Sequence, residues 1–256
     1  MEKYLILLVG MLLFISCEKN ENNNEAVLNI RLTDAPAAYD AVNIEIENVQ
    51  IHVGDNENEG GWHDVEIMNK GVYNLLDFNN GLDTLLASSY LPAGNASQMR
   101  LFLGDNNTLV KNGETHNLFA TAGLTSGLKL QIHQQLEEGI TYAMWLDFDA
   151  SRSIVKTNSG KYNLKPVIRT FTEATSGSIK GIISPGDPVA YVQALNISDT
   201  IGTVSDNTGY FLLKGVPQGT YEVTIESSDT LIPEFIISDV EVLLGQVTDL
   251  DTVYLQ

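Results

Sequence analysis

The chain has 256 residues, 43% of them hydrophobic, with 14 basic and 33 acidic side chains and a net charge of −19. That length allows one large domain or two small ones, and the apolar content excludes general disorder. The acidic balance repels phosphate backbones and excludes nucleic acid as a partner. A single cysteine, Cys17, excludes an intrachain disulfide and a cysteine-built metal site.

Lys3 precedes an apolar run from Tyr4 to Ile15. At about 12 residues the run is too short to span a bilayer and suits a signal-peptide core. It ends in Phe14-Ile15-Ser16-Cys17, which resembles the lipobox of bacterial lipoproteins. That resemblance implies removal of residues 1–16, lipidation of Cys17, and a membrane held through the N-terminal lipid. Residues 17–25 then comprise the lipidated Cys17 and a spacer. Glu18 to Glu25 contains no hydrophobe, so it cannot offset its ordering entropy and is predicted to be flexible. An acidic spacer at this place is similar to export tags on surface lipoproteins of some Gram-negative bacteria, which implies display on the outer membrane.

The stretch from Val27 to Val53 organises the rest of the chain. Leu28, Ile30 and Leu32 alternate with polar residues, as do Val42, Ile44 and Ile46. That period of two predicts strands with one buried face. Asp34 and Pro36 stop the first strand. Val49, Ile51 and Val53 are out of phase with Ile44, so a β-bulge is expected near Glu47-Asn48. Trp62 to Met68 reads as a strand, and Val72 to Leu86 is ambiguous between helix and strand. Leu91-Pro92-Ala93-Gly94 reads as a turn before a strand bearing Met99, Leu101 and Leu103. Lys111-Asn112-Gly113-Glu114 suggests a hairpin. Strands are also expected at Leu128 to Ile132, at Ile140 to Phe148, and at Tyr162 to Thr170, where Pro166 marks an edge or bulge.

Five of these motifs, taken in order, carry a resemblance. They are Leu32-Thr33-Asp34-Ala35-Pro36, Val42-Asn43-Ile44-Glu45-Ile46, Leu91-Pro92-Ala93-Gly94, Leu146-Asp147-Phe148-Asp149-Ala150 and Leu164-Lys165-Pro166-Val167-Ile168. Together they resemble the lipoprotein family called domain of unknown function 4382, across residues 26–172. Residues 173–177 are small and polar and read as a linker. Residues 178–256 run through apolar stretches at Ile179–Ile183, Val189–Leu195, Thr203–Leu213, Val216–Ile225 and Val240–Leu255, with a tight turn at Asp206-Asn207-Thr208-Gly209. Their order resembles the carboxypeptidase regulatory-like domain, a transthyretin-like sandwich related to carbohydrate-binding folds. The expected fold is therefore all-β, with two consecutive β-sandwich domains after a lipoprotein signal peptide.

The pair Asp147 and Asp149 flanks Phe148, and Trp145 shares their face. The sharp reading is a cation or sugar site with an aromatic platform. The bland one is a solvated outer face, which is favoured because a calcium ion needs about six oxygens. His52, His63, His116 and His133 form no metal spacing and read as ordinary surface or sheet residues. Asp206 reads as turn chemistry, and Lys180 is out of phase with Ile179 and points outward. Tyr191 and Tyr210 are candidates for stacking on sugars, although tyrosine in strands more often packs. Asp83-Thr84-Leu85, Asp199-Thr200-Ile201, Asp229-Thr230-Leu231 and Asp251-Thr252-Val253 each resemble a glycan acceptor of some Gram-negative exporters. No catalytic residue and no cofactor is expected. The expected role is a non-catalytic outer-envelope lipoprotein, a display or binding module with carbohydrate as its ligand class. A structural or protein-interaction component is the first rival, and an enzyme with a site at the domain junction is the second.

Overall fold

The computed structural model describes residues 24–54, 60–120, 124 and 126–255. The predicted signal peptide, Cys17 and most of the spacer lie outside the described residues. Among those described the protein is all-β. Thirteen strands come first: β1 (Glu25–Ala35), β2 (Ala41–Val53), β3 (Trp62–Ile67), β4 (Gly71–Asn74), β5 (Thr84–Pro92), β6 (Gly94–Leu103), β7 (Thr108–Lys111), β8 (Glu114–Ala120), β9 (Leu128–Leu136), β10 (Thr141–Asp149), β11 (Ile154–Lys156), β12 (Tyr162–Leu164) and β13 (Ile168–Phe171). Seven more complete the chain: β14 (Gly177–Ser184), β15 (Ala190–Leu195), β16 (Thr200–Val204), β17 (Tyr210–Val216), β18 (Gly219–Ser227), β19 (Phe235–Val242) and β20 (Val247–Tyr254).

Hydrogen bonding joins the first thirteen strands into one branched sheet. Its main path is β11-β12-β8-β7-β2-β3-β5-β1-β10-β13, with β4 and β6 on β2 and β9 on β6. The branching centres on β2, whose 13 residues give it room for several partners. Leu28, Ile30, Leu32, Val42, Ile44 and Ile46 are all fully buried in the cluster this sheet encloses. The bulge expected at Glu47-Asn48 is present: the β2–β6 register shifts between Ile46 and Asn48, and this returns Val49 and Ile51 to the core. The Lys111–Glu114 hairpin is also present, with Asn112 and Gly113 both at positive φ, as a two-residue primed turn requires.

The remaining strands form a three-stranded sheet, β17-β14-β20, and a four-stranded sheet, β16-β15-β18-β19. Both contribute to a second hydrophobic cluster that includes Ile179, Val192, Phe211, Leu213, Tyr221 and Ile225. Residues 173–175 form a single 3₁₀ turn whose Thr172 and Thr175 side chains cap it reciprocally.

Some expected spans break differently. Tyr162 to Thr170 is two strands rather than one. Pro166 has no N–H, and its neighbours bond instead to a helical turn at Ala150–Ser153: Lys165 N donates to Ser153 O at 2.8 Å and Val167 N to Ser153 Oγ at 2.8 Å. Leu91–Gly94 joins β5 to β6, which do not pair; the segment turns a corner between separate stretches of the sheet. Val72 to Leu86 resolves into β4, a 3₁₀ turn at Leu75–Phe78, and β5. Thr203–Leu213 and Val240–Leu255 each divide at a turn, into β16 and β17 and into β19 and β20.

Candidate functional site

Strand β10 is covered on both faces. Met144, Leu146 and Phe148 enter the first core. On the opposite face Trp145 and Asp147 are only 6% and 7% exposed. The solvated outer face expected for them is therefore wrong, because the C-terminal sheets pack over it. Trp145 stacks on Phe171 with ring centroids 5.6 Å apart and planes within 5°. Asp147 Oδ2 accepts from Arg169 Nε at 2.5 Å, and the same guanidinium donates to Gly215 O at 2.6 Å and Lys214 O at 3.2 Å on β17. Asp149, less buried, accepts from Arg152 N at 2.9 Å and caps the short helical turn.

Three residues to which sequence reasoning gave no part in this junction complete it. Asp83 accepts from Arg31 Nε, from Trp145 Nε1 at 2.9 Å and from Lys214 Nζ at 3.3 Å. Burial pushes its carboxyl up, but the Trp145 N–H, Arg31 and Lys214 outweigh burial and hold it below the ordinary range. Asn80 donates to Tyr210 O at 3.1 Å and accepts from Leu212 N at 2.8 Å. One side-chain amide thus serves the exposed edge of β17 as a neighbouring strand would. The sequence signal at Asn79-Asn80-Gly81 marks only a chain break. Lys214 is one of just two basic residues after residue 172, and that scarcity was the available hint that it has a dedicated partner.

Asp34 sits beside these groups. Its Oδ1 accepts from Ala150 N at 3.0 Å. Burial first, then the Asp147 and Asp149 charges, drives its carboxyl well above the usual carboxylate range, against the Ala150 hydrogen bond. Asp149 is raised too, chiefly by burial.

Three clefts open along the junction. Trp145 lines one of about 310 Å³ with Phe171, Lys214 and Val247. Asp147 and Asp149 line a different one of about 140 Å³ with Arg152, Arg169 and Thr200. The three predicted site residues therefore do not converge. The third cleft, of about 400 Å³, has the Pro36–Tyr39 loop, Lys111 and Ser151 on one wall. Its other wall is a two-by-two patch on β15 and β18, where Tyr191 stands opposite Glu226 and Gln193 opposite Thr224. Alternation puts Val192 and Ile225 into the core and leaves these four on the outer face. This cleft holds two phenol rings, planar polar groups and hydroxyls, with one charge of each sign. Its size lies within the usual range for small-ligand sites.

The other sequence candidates have structural roles. Asp206 Oδ1 accepts from Thr208 N, Thr208 Oγ1 and Tyr210 N, which closes the tight turn. Lys180 points outward and pairs with Asp249 at 3.0 Å. His52 is fully buried, between Ser97 Oγ at 3.0 Å and Gly60 O at 3.2 Å, and edge-on to Trp62. Tyr210 lends its carbonyl to Asn80. Thr200, Thr230 and Thr252 are exposed, whereas Thr84 is half-buried on β5. Among the described residues no group of three or more His, Cys, Asp or Glu is placed to hold a metal ion. No helix among them is long and apolar enough to cross a membrane.

The family described as Domain of unknown function (DUF4382) matches residues 25–166. No curated protein matches the chain. Among solved structures, a type II cohesin–X-dockerin complex from Acetivibrio cellulolyticus is 24% identical, covering 31% of this chain and 56% of that one, with a TM-score of 0.26. The Bacillus anthracis TIE protein is 13% identical, covering 90% of this chain and 34% of that one, with a TM-score of 0.24. The chain thus spans only part of the length of these two. A putative adhesin from Bacteroides ovatus is 9% identical, covering 96% of this chain and 98% of that one, with a TM-score of 0.23.

Proposed function

We propose, for a chain that belongs to the DUF4382 family, a non-catalytic lipoprotein of the outer envelope that presents a carbohydrate-binding module. The observation that carries this reading is the 400 Å³ cleft between Tyr39 and Tyr191. Tyrosine rings supply apolar faces for the C–H side of a sugar ring. Gln193, Glu226, Thr224 and Ser151 supply donors and acceptors around it. Lys111 and Glu226 cancel in charge, so an uncharged polyhydroxylated ligand suits the cleft better than a polyanion. The lipobox-like Phe14–Cys17 segment supports a lipid tether and an envelope location.

Binding of the full chain to a panel of immobilised glycans tests the reading, with Tyr191→Ala as the control. Binding that the variant loses supports it, and a chain that retains no glycan sinks it. Protease shaving of intact cells tests display, and full protection counts against it. One observation favours a protein-interaction role instead: β19 pairs on one side only and exposes Phe235 and Ile236.

A further inference from the structure

We propose that a void between β1, β10 and β16 is a binding site for one water molecule, which joins Asp34 to Thr203 and so locks the two sets of sheets together. Asp34 Oδ2 and Thr203 Oγ1 are buried and have no hydrogen-bond partner in the protein. Their residues are 5% and 3% exposed. Both line the same void of about 20 Å³. A water needs about 10–15 Å³ and two to four polar partners, and the void meets both conditions. The other polar side chains around it are engaged. Thr33 Oγ1 bonds to Phe78 O and Leu82 O, Asn80 to β17, Arg169 to Asp147, and Lys214 to Asp83.

A metal ion fits less well. Calcium takes about six to eight oxygens, and the same lining includes the cationic Arg169 and Lys214. The charged groups around Asp34 are Asp147 and Asp149 on β10, Arg169 on β13 and Lys214 on β17. Arg169 and Lys214 are already paired with Asp147 and Asp83, and their positive charge at the void disfavours a further cation there. β16 presents only uncharged residues to the void, Ile201, Gly202 and Thr203.

The water also gives Asp34 a use for a proton. As the neutral acid, Asp34 donates to the water, and the water donates to Thr203 Oγ1. Burial and the neighbouring carboxylates favour that form. Its contribution is complete below the ordinary carboxylate range and is lost as pH rises through the raised value.

Two measurements on the full chain test this. A high-resolution crystal structure is expected to show one water within hydrogen-bond distance of both Asp34 Oδ2 and Thr203 Oγ1; an empty void or a metal ion overturns the proposal. Unfolding across the acidic to alkaline range is expected to show a folding constant that falls by up to about tenfold per pH unit between the ordinary carboxylate range and the raised value, and that levels off above it. Asp34→Asn keeps the acceptor for Ala150 N and carries no titrating proton, so it is expected to abolish that fall. An unchanged fall in the variant overturns the proton-linked part. Should the variant fail to fold, the crystal structure of the wild-type chain still decides the water.

Discussion

The amide of Asn80 bonds to β17 at both Tyr210 O and Leu212 N, at 3.1 and 2.8 Å. A single side chain from the turn before β5 therefore stands in for a neighbouring strand on the C-terminal sheet. Asn80→Gly keeps the positive φ of 53° available and removes only the amide. It leaves a donor and an acceptor unpaired, at a cost of about 1–3 kcal/mol. Denaturant unfolding checks this, and a change below a few tenths of a kcal/mol refutes the role.

Asp83→Asn strips Arg31 and Lys214 of their shared counter-charge while keeping an acceptor for Trp145. The expected loss is about 1.5–3 kcal/mol, toward the low end because both cations are partly exposed. Asp83 is held below its ordinary value of 3.8. The stability it contributes is present above that value and is lost as pH falls below it. Acid unfolding curves of wild type and variant are expected to converge at low pH.

Gly215→Ala is expected to disrupt the Trp145–Phe171 stack. Gly215 has φ of 66°, and a Cβ there would meet the Phe171 ring at 2.5 Å. Overpacking of this kind costs about 1–3 kcal/mol. Tryptophan fluorescence reports the stack directly, and an unshifted spectrum with unchanged stability goes against the prediction.

Phe148→Ala and Phe211→Ala each empty a fully buried site, one in each hydrophobic cluster. Each is expected to cost about 3–5 kcal/mol. If the junction couples the clusters, both variants lower one shared calorimetric transition. Two independently moving transitions would show that the clusters unfold separately.

In the glycan reading, Gln193→Ala weakens binding through lost hydrogen bonds while Tyr191→Ala removes the stacking face. About 1 kcal/mol is expected for the hydrogen bond, a roughly fivefold rise in Kd. Isothermal titration with a glycan bound by the wild type checks it, and an unaltered Kd removes Gln193 from the site.

Local alternation was enough to read many of the strands from the residues alone, though not where Tyr162–Thr170 or Val240–Leu255 divides in two. Leu28, Ile30 and Leu32 reveal their face by period, Asn112-Gly113 by turn chemistry, and the bulge at Asn48 by a slip in phase. These signals are local because a strand face and a turn depend on neighbours one to four residues away. The junction was not legible in that way. Asp147 looks like a solvent-facing residue in its own strand and becomes buried only when β17, far later in the chain, packs over it. Asp83, Asn80 and Lys214 show no local sign of these roles, since the hydrogen bonds that join them across the junction span 130 to 132 residues of chain. Burial and pairing across such separations are set by how the sheets pack, so only the tertiary structure could decide which polar residues hold the two clusters together and where the clefts open.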